Sequence, residues 1–247
     1  MAKLRTTSFS KEQVSLEISR KTYRTNSKSR LIAGQRIKVI EIQFRLSVWF
    51  VSNCNAYSGR DQIVNSIYKS ISSLKQELNY PSMSLRTSIY GRCAEAMIEK
   101  WSLDEKLELS RNKFYLSFEN SKCRGYVTEK LYKVLNKEIS DNPPVPIVMG
   151  EKKLWYDLNL PQKSFIHIDD FASSNELAKY LLFLNSNHTE YMKYLEWRKY
   201  HRKVKVDSIG CQLCTNLLDH SIGRHQNIMV IENFNEFWSR SNCEPNY

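Results

Sequence analysis

The sequence predicts an α/β protein built on a doubly wound, mainly parallel β-sheet. Short strand-type stretches alternate along the chain with longer stretches of helical periodicity. Most of the strand-type stretches are mainly apolar, as in strands that are covered by helices on both faces. One of them ends in a polar cluster that leads into a new helix, an arrangement typical of the ligand-binding edge of such sheets.

The predicted elements follow one another in an alternating order. Strands are predicted at 47–52, 87–90, 114–118, 147–149 and 165–168. Helices are predicted at 60–75, 94–106, 128–136, 175–184, 190–200 and 233–238. The first helix shows the helical spacing most clearly, with apolar residues at Ile63, Ile67, Ile71 and Leu74. A chain of 247 residues can bury a sizeable core in one large domain or two small ones.

The positive charge of the chain is concentrated at its N-terminus. Residues 1–45 contain eleven Lys or Arg against three Glu, a net of +8 out of the +11 of the whole chain. We therefore expect a basic N-terminal segment at 1–45 and a folded domain at 46–247. Such a segment is more typical of a solvated arm than of a nucleic-acid-binding surface. No apolar run of about 18 residues predicts a membrane span, and the N-terminus lacks the apolar core of a signal peptide.

The segment from Phe114 to Leu131 indicates a ligand-binding site. A strand at 114–118 is followed by Glu119, Asn120 and Ser121, and the next helix begins near Thr128. Ligands of open α/β sheets bind outside the carboxyl ends of the strands, and helix N-termini attract anions. This segment therefore predicts a site for a polyhydroxylated, phosphorylated ligand.

The same segment resembles the signature of the α1,3-fucosyltransferases, glycosyltransferase family 10. Its two parts are FYLSFENS at 114–121 and YVTEKL at 126–131. Other stretches resemble further family motifs in the family's order: WFVSNCNAYSGR at 49–60, SIYGRC at 88–93, PVPIVMG at 144–150, SFIHIDDF at 164–171, EYMKYLEWRK at 190–199 and CQLC at 211–214. The resemblance covers roughly residues 46 to 240.

The resemblance implies a fold and an activity. The domain at 46–247 would be the C-terminal, donor-binding Rossmann-like half of a GT-B glycosyltransferase, followed by a helical extension. It would bind GDP-fucose and transfer L-fucose in α1,3 linkage, with inversion, to a GlcNAc-type hydroxyl of a glycoprotein or glycolipid glycan. The family's general base lies in an N-terminal half that we do not find here, so the catalytic residue is unknown and the chain is expected to be truncated at its N-terminus. The family further implies the Golgi lumen and a membrane anchor, which this sequence does not show.

The residues expected to bind the donor are Asn53, Arg60, Tyr115, Glu119, Asn120, Tyr126, Glu129 and Lys130. Arg60 and Lys130 would neutralise the diphosphate. Glu129 would accept from the ribose hydroxyls, and Asn120 would donate to a phosphate or sugar oxygen. Ordinary structural roles compete with these assignments: Arg60 as a solvated arginine at a helix start, and Tyr115 as a core aromatic. Glu119 would either accept from fucose or fix the neighbouring backbone, and Thr128 is expected to be an N-cap.

The family reaction needs no metal or other cofactor, because basic side chains and helix dipoles offset the charge of the leaving diphosphate. Asp169 and Asp170 resemble the paired acids of metal-dependent glycosyltransferases, but N-capping and loop roles explain them better. Cys211-x-x-Cys214 is a candidate for half of a zinc site, but no second CxxC or His pair is spaced to complete it.

Cysteine pairing is left open by the sequence alone, since six cysteines allow many connectivities. By resemblance we expect disulfides in an oxidising lumen, with Cys54–Cys93 or Cys54–Cys123 as candidate bridges and Cys211 and Cys214 as further disulfide cysteines. Asn187-His188-Thr189 is a sequon for N-glycosylation at Asn187.

Two other functions compete with the fucosyltransferase hypothesis. The chain could be an inactive donor-binding remnant without an acceptor domain. Alternatively, the basic segment at 1–45 could bind nucleic acid, although the resemblance argues for a protein without a nucleic-acid partner.

Overall fold

A computed structural model of the protein describes residues 45–77, 87–94, 96–100, 102–136, 143–201, 209–222, 233 and 243. Five strands form its sheet: β1 (Arg45–Phe50), β2 (Thr87–Tyr90), β3 (Asn112–Phe118), β4 (Val145–Met149) and β5 (Ile166–His167). The helices are α1 (Arg60–Glu77), α2 (Leu103–Ser110), α3 (Glu129–Leu135), α4 (Lys153–Asn159), α5 (Ser174–Ser186), α6 (His188–Met192) and α7 (Ile209–Ser221). Short 3-10 turns occur at Ile168–Asp170 and Glu196–Lys199.

The strands lie in the order β2-β1-β3-β4-β5, and every neighbouring pair is parallel. The chain leaves β1 toward β2 on one side and then returns to the other side of β1 to form β3. A topological switch point therefore lies between β1 and β3, which is where open α/β sheets bind their ligands.

Helices cover both faces of the sheet. On one face, α1 and α5 pack on a large apolar cluster that includes Leu46, Phe114, Phe118 and Ile147. On the other face, Val48 and Tyr115 pack against Leu109 of α2 and Val134 of α3. Leu131 of α3 and Tyr156 of α4 extend this second layer over β4. The predicted doubly wound, parallel α/β class is confirmed.

Several predicted boundaries require correction. The helix predicted at 94–106 is wrong, because the regular helix is α2 at Leu103–Ser110, where Ser102 caps the chain by accepting from the Glu105 backbone N–H at 3.1 Å. The helix predicted at 190–200 is instead the short helix α6 followed by a 3-10 turn. Helices α4 and α7 were not predicted. The predicted helix at 233–238 lies outside the described residues except for Asn233.

The predicted basic segment lies outside the described residues, except for its last residue. Arg45 is the first residue of β1, and its guanidinium donates to the Glu108 carboxylate at 2.6 Å. Within the described ranges, no helix is long and apolar enough to cross a membrane.

Candidate functional site

A cavity of about 280 Å³ opens at the carboxyl edge of the sheet, beside the switch point between β1 and β3. Its walls come from the ends of β1 and β2 and the loops after them, from the first residue of α1, from β3 and the loop after it, and from α2 and α3. Six of the eight predicted donor-binding residues line it: Asn53, Arg60, Tyr115, Asn120, Glu129 and Lys130. The structure thus brings side chains from separate crossovers into one site.

Lys130 is held in place by a buried carboxylate. Its ammonium lies 2.6 Å from Glu119 Oε2 and 2.8 Å from Thr128 Oγ1. Glu119 is 1% exposed and also accepts from the backbone N–H and the hydroxyl of Thr128. An ammonium has three N–H donors, so these two bonds leave one donor of Lys130 for a ligand. The Lys130 side chain remains 18% exposed.

Arg60, the first residue of α1, is almost fully buried, at 1% exposure. Its guanidinium donates to the carbonyls of Phe118 at 2.9 Å and Asn53 at 2.8 Å, and it lies over the ring of Trp49. Its Nε has no hydrogen-bond partner within the described part of the chain. The alternative of a solvated arginine at a helix start is wrong. Arg60 joins the loop after β1 to the end of β3 and places a cation in the cavity wall.

The other predicted residues in the cavity differ in their surroundings. Glu129 is exposed at the start of α3. Burial raises its pKa, but the charges of Lys130 and Lys100, together with hydrogen bonds from its own backbone and from Thr128, hold the pKa below its ordinary value. Tyr115 is buried in the centre of β3, and burial raises the pKa of its phenol. It is therefore a core aromatic and a lining residue at the same time.

Two predicted residues, Glu119 and Tyr126, are not part of the cavity lining. The Glu119 carboxylate accepts hydrogen bonds from Lys130 and from Thr128. Of its two predicted roles, the structure therefore shows the second, in which Glu119 fixes the neighbouring chain. Tyr126 is half-buried near Glu119 and Glu129, and burial raises the pKa of its phenol. Thr128 occupies the predicted N-cap position, but its hydroxyl bonds to Glu119 rather than capping α3.

Sequence reasoning missed four charged residues in the lining: Arg92, Lys100, Glu105 and Lys133. Lys133 could have been found, since it lies one helical turn after Lys130 on the same face of α3. Glu105 gave no such signal, because the helix that carries it was misplaced. Altogether five basic and two acidic side chains line the cavity, a net of +3 that favours an anionic ligand.

A disulfide fixes the rim of the cavity. Cys54 and Cys93, which follow the lining residues Asn53 and Arg92, are bonded to each other. The alternative pairing of Cys54 with Cys123 is wrong, because Cys123 is bonded to Cys243.

The disulfide prediction for Cys211 and Cys214 is also wrong, since the structure shows both as exposed thiols on α7. Both side chains lie on one helix, and the described residues hold no cluster of three or more His, Cys, Asp or Glu side chains arranged to bind a metal.

The acidic pair Asp169–Asp170 and the sequon have structural roles. Asp169 and Asp170 lie in a 3-10 turn after β5, and Ser173, rather than either acid, caps α5 by accepting from the Glu176 backbone N–H. Asn187 caps α6 by accepting from the Glu190 backbone N–H at 3.1 Å. Its glycosylation stays a prediction.

Comparison with known proteins places the chain in a family. The family model described as glycosyltransferase family 10 (fucosyltransferase) C-term matches residues 41–234. Glycoprotein 3-alpha-L-fucosyltransferase A of Drosophila melanogaster is 34% identical over 68% of this chain and 30% of the relative. The 4-galactosyl-N-acetylglucosaminide 3-alpha-L-fucosyltransferase 9 of Mus musculus is 34% identical over 79% of this chain and 48% of the relative.

The chain spans from about a third to about half of the length of these relatives. Among solved structures, an alpha1,3-fucosyltransferase with GDP-fucose is similar at a TM-score of 0.46 and 21% identity, over 74% of this chain and 48% of that one. The family match covers most of the chain and includes every described strand and the whole cavity. The chain therefore belongs to glycosyltransferase family 10, the fucosyltransferases.

Proposed function

We propose that the cavity binds GDP-fucose and that the protein is a fucosyltransferase of the α1,3 type. The observation that carries the proposal is the meeting of Arg60, Asn120, Glu129 and Lys130 in one cavity of a family 10 chain. The named relatives are themselves fucosyltransferases.

The charges of the site fit a sugar nucleotide diphosphate. Lys130 contributes a directed N–H donor, and the buried Arg60 contributes positive potential. Glu129 is exposed and has a lowered pKa, so it is ionised at neutral pH and can accept from the ribose diol. Asn120 can donate its amide N–H to a phosphate or sugar oxygen. Asn53, Tyr115 and Tyr126 complete the donor-binding set that we propose.

The reaction would be an inverting single displacement. An acceptor hydroxyl, of a GlcNAc-type sugar in a glycoprotein or glycolipid glycan, attacks C1 of fucose while a general base takes its proton. The C1–O bond to GDP breaks, and the basic side chains offset the negative charge that develops on the leaving diphosphate. We assign the base to none of the described residues. The alternative function is donor binding without transfer.

The two disulfides support an oxidising compartment for the protein, because such bonds are rare where thiols are kept reduced. We accordingly propose the Golgi lumen, where the family's sugar donor and glycan acceptors would meet.

The proposal is tested with GDP and GDP-fucose by isothermal titration and by thermal unfolding. Both ligands should raise the unfolding temperature of the full chain. Lys130→Gln should weaken GDP binding by about 1–3 kcal/mol, the contribution of a charge-assisted hydrogen bond. Lys69→Gln is the matched control, because Lys69 is exposed on α1 outside the lining and should leave the affinity unchanged.

Two outcomes separate the hypotheses. A chain that binds neither GDP nor GDP-fucose would contradict the proposed function. A chain that binds GDP-fucose but transfers no fucose to an N-acetyllactosamine or N-glycan-core acceptor would be a donor-binding protein without transferase activity.

A further inference from the structure

A buried ion pair forms part of the cavity wall. Lys133 Nζ lies 2.6 Å from Glu105 Oε1, and the two side chains are 6% and 3% exposed. The pair joins α2 to α3, and both of its members line the cavity. Burying two charges costs about as much free energy as their attraction returns, so the pair is poorly explained by stability alone.

Aromatic rings surround this ion pair. Phe50 stacks on Tyr90 with ring centroids 5.7 Å apart and 24° between their planes, and Tyr115 lies 6.1 Å from Phe50. The Lys133 ammonium lies 5.7 Å from the centre of the Phe50 ring. All three rings line the cavity. This part of the wall therefore combines flat apolar surfaces with one carboxylate.

The diphosphate-binding residues form a separate group. Arg60 and Lys130 are held by the carbonyls of Asn53 and Phe118 and by the carboxylate of Glu119. Glu105 of α2 and Lys133 of α3 are bonded to each other. The cavity thus has one region suited to phosphates and another suited to a planar ring that presents hydrogen-bond donors.

Guanine is the nucleobase that matches this second region. Its Watson–Crick edge presents two adjacent donors, N1–H and the N2 amino group, and one carboxylate can accept from both. Adenine, cytosine and uracil present no such adjacent pair. A carboxylate offers about four acceptor positions, so a carboxylate that accepts from Lys133 at Oε1 can accept from a nucleobase as well.

We propose that the carboxylate of Glu105 determines nucleobase specificity by accepting from N1–H and N2–H of guanine, with the base against the Phe50, Tyr90 and Tyr115 wall. Lys133 fixes the orientation of the carboxylate and so acts as a positioning residue. This inference rests on the proposed binding of GDP-fucose and adds to it the group that selects the base.

The test compares the affinities of GDP, IDP and ADP by isothermal titration with the full chain. IDP lacks only the N2 amino group, so the wild-type protein should prefer GDP over IDP by about tenfold or more. Glu105→Gln should weaken GDP binding by at least about tenfold, leave ADP binding unchanged and bring the GDP/IDP ratio close to one. If Glu105 contributed only to folding, Glu105→Gln would weaken the binding of all three nucleotides together.

Glu108→Gln is the matched control. Glu108 is also a buried carboxylate of α2, but it bonds to Arg45, Tyr90 and Arg111 and does not line the cavity. This variant should keep the wild-type preference for GDP. If Glu105→Gln fails to fold, the double variant Glu105→Gln/Lys133→Met leaves no unpaired buried charge and should show the same loss of preference.

A wild-type preference for GDP that persists in Glu105→Gln, or in the folded double variant, would overturn the assignment of Glu105 and leave the proposed function intact. A wild-type protein that binds neither GDP nor GDP-fucose would overturn both.

Discussion

Single residues decide the shape of the cavity rim, and Gly91 is the clearest case. It follows β2 with a φ of +113°, and a Cβ placed on it would meet the carbonyl oxygen of Val51 at 2.3 Å. Because that obstacle is backbone at the end of β1, no side chain can move aside to relieve it. Only glycine lets the ends of β1 and β2 approach this closely.

We expect Gly91→Ala to lower the free energy of unfolding by about 2–4 kcal/mol, through overpacking together with left-handed strain. Gly125→Ala is the control. Gly125 has a φ of +72°, but no atom lies within 4 Å of the position that a Cβ would take. This substitution should therefore lower the free energy of unfolding only by the backbone strain, about 1 kcal/mol. Urea denaturation of both variants measures the difference. Equal losses of unfolding free energy in the two variants would contradict the close approach of Gly91 to the Val51 carbonyl.

His167 is a second residue whose environment has a measurable consequence. It is 1% exposed, its Nε2 lies 3.1 Å from the Glu151 carbonyl, and its Nδ1 accepts from the Asp169 backbone N–H at 3.1 Å. Burial lowers the pKa of the imidazole and outweighs the opposing charge of Asp169. The folded protein therefore keeps this ring neutral.

The unfolded chain protonates His167 at about pH 6.5, above the folded pKa, so the unfolded state binds more protons as the pH falls below that value. The free energy of unfolding should consequently decrease with falling pH, by at most about 1.4 kcal/mol per unit from this group. His167→Gln should flatten the slope between pH 7.5 and pH 5.5 in urea titrations. Identical slopes in wild type and variant would show that His167 does not contribute.

At the scale of elements, the site depends on how the loops after β1 and β2 are joined. The Cys54–Cys93 disulfide links these two loops across a sequence separation of 39 residues. The backbone N–H of Cys93 also donates to the Val51 carbonyl at 3.3 Å. The disulfide and this hydrogen bond hold Asn53 and Arg92 on the same rim of the cavity.

Replacing both cysteines, as Cys54→Ser/Cys93→Ser, should lower the free energy of unfolding by about 2–4 kcal/mol, because the unfolded chain is no longer cross-linked. GDP binding should weaken as well, since the rim loses its connection. Cys211→Ser/Cys214→Ser is the matched control on the exposed surface of α7 and should change neither quantity by more than about 0.5 kcal/mol. Thermal unfolding and GDP titration of both double variants provide the comparison.

At the scale of the whole molecule, the cavity that we propose as the donor site lies within the family match and outside the predicted basic N-terminal segment. The lining residues of the cavity run from Phe50 to Lys133, all within the family match at 41–234. Most of the net charge lies before them in the sequence.

A chain that begins at Glu41 should therefore bind GDP with unchanged affinity, whereas any salt-sensitive binding of nucleic acid by the full chain should be lost. Parallel titrations with GDP and with a duplex oligonucleotide at two salt concentrations measure both properties. A loss of GDP binding on removal of residues 1–40 would place part of the donor site in the basic segment.

The sequence by itself determined the alternation of strands and helices, and it located the segment that lines the cavity. Buried parallel strands and amphipathic helices leave periodic patterns in the sequence, and the residues after a strand are close to one another along the chain. Asn120, Glu129 and Lys130 could be assigned to one edge of the sheet for this reason. The boundaries of α2 and α6 were harder to predict, because caps and tertiary packing set them more than periodicity does.

Only the tertiary structure decided which charges are buried and which partners they have. Arg60 bonds to the Phe118 carbonyl, 58 positions away, and Lys133 pairs with Glu105, 28 positions away. The Cys123–Cys243 bridge spans 120 positions. No local pattern records such contacts, because they exist only once the crossovers have brought distant elements together. The chemistry of the site follows from the residue types, but its geometry follows from the packing of α2 and α3 against the sheet.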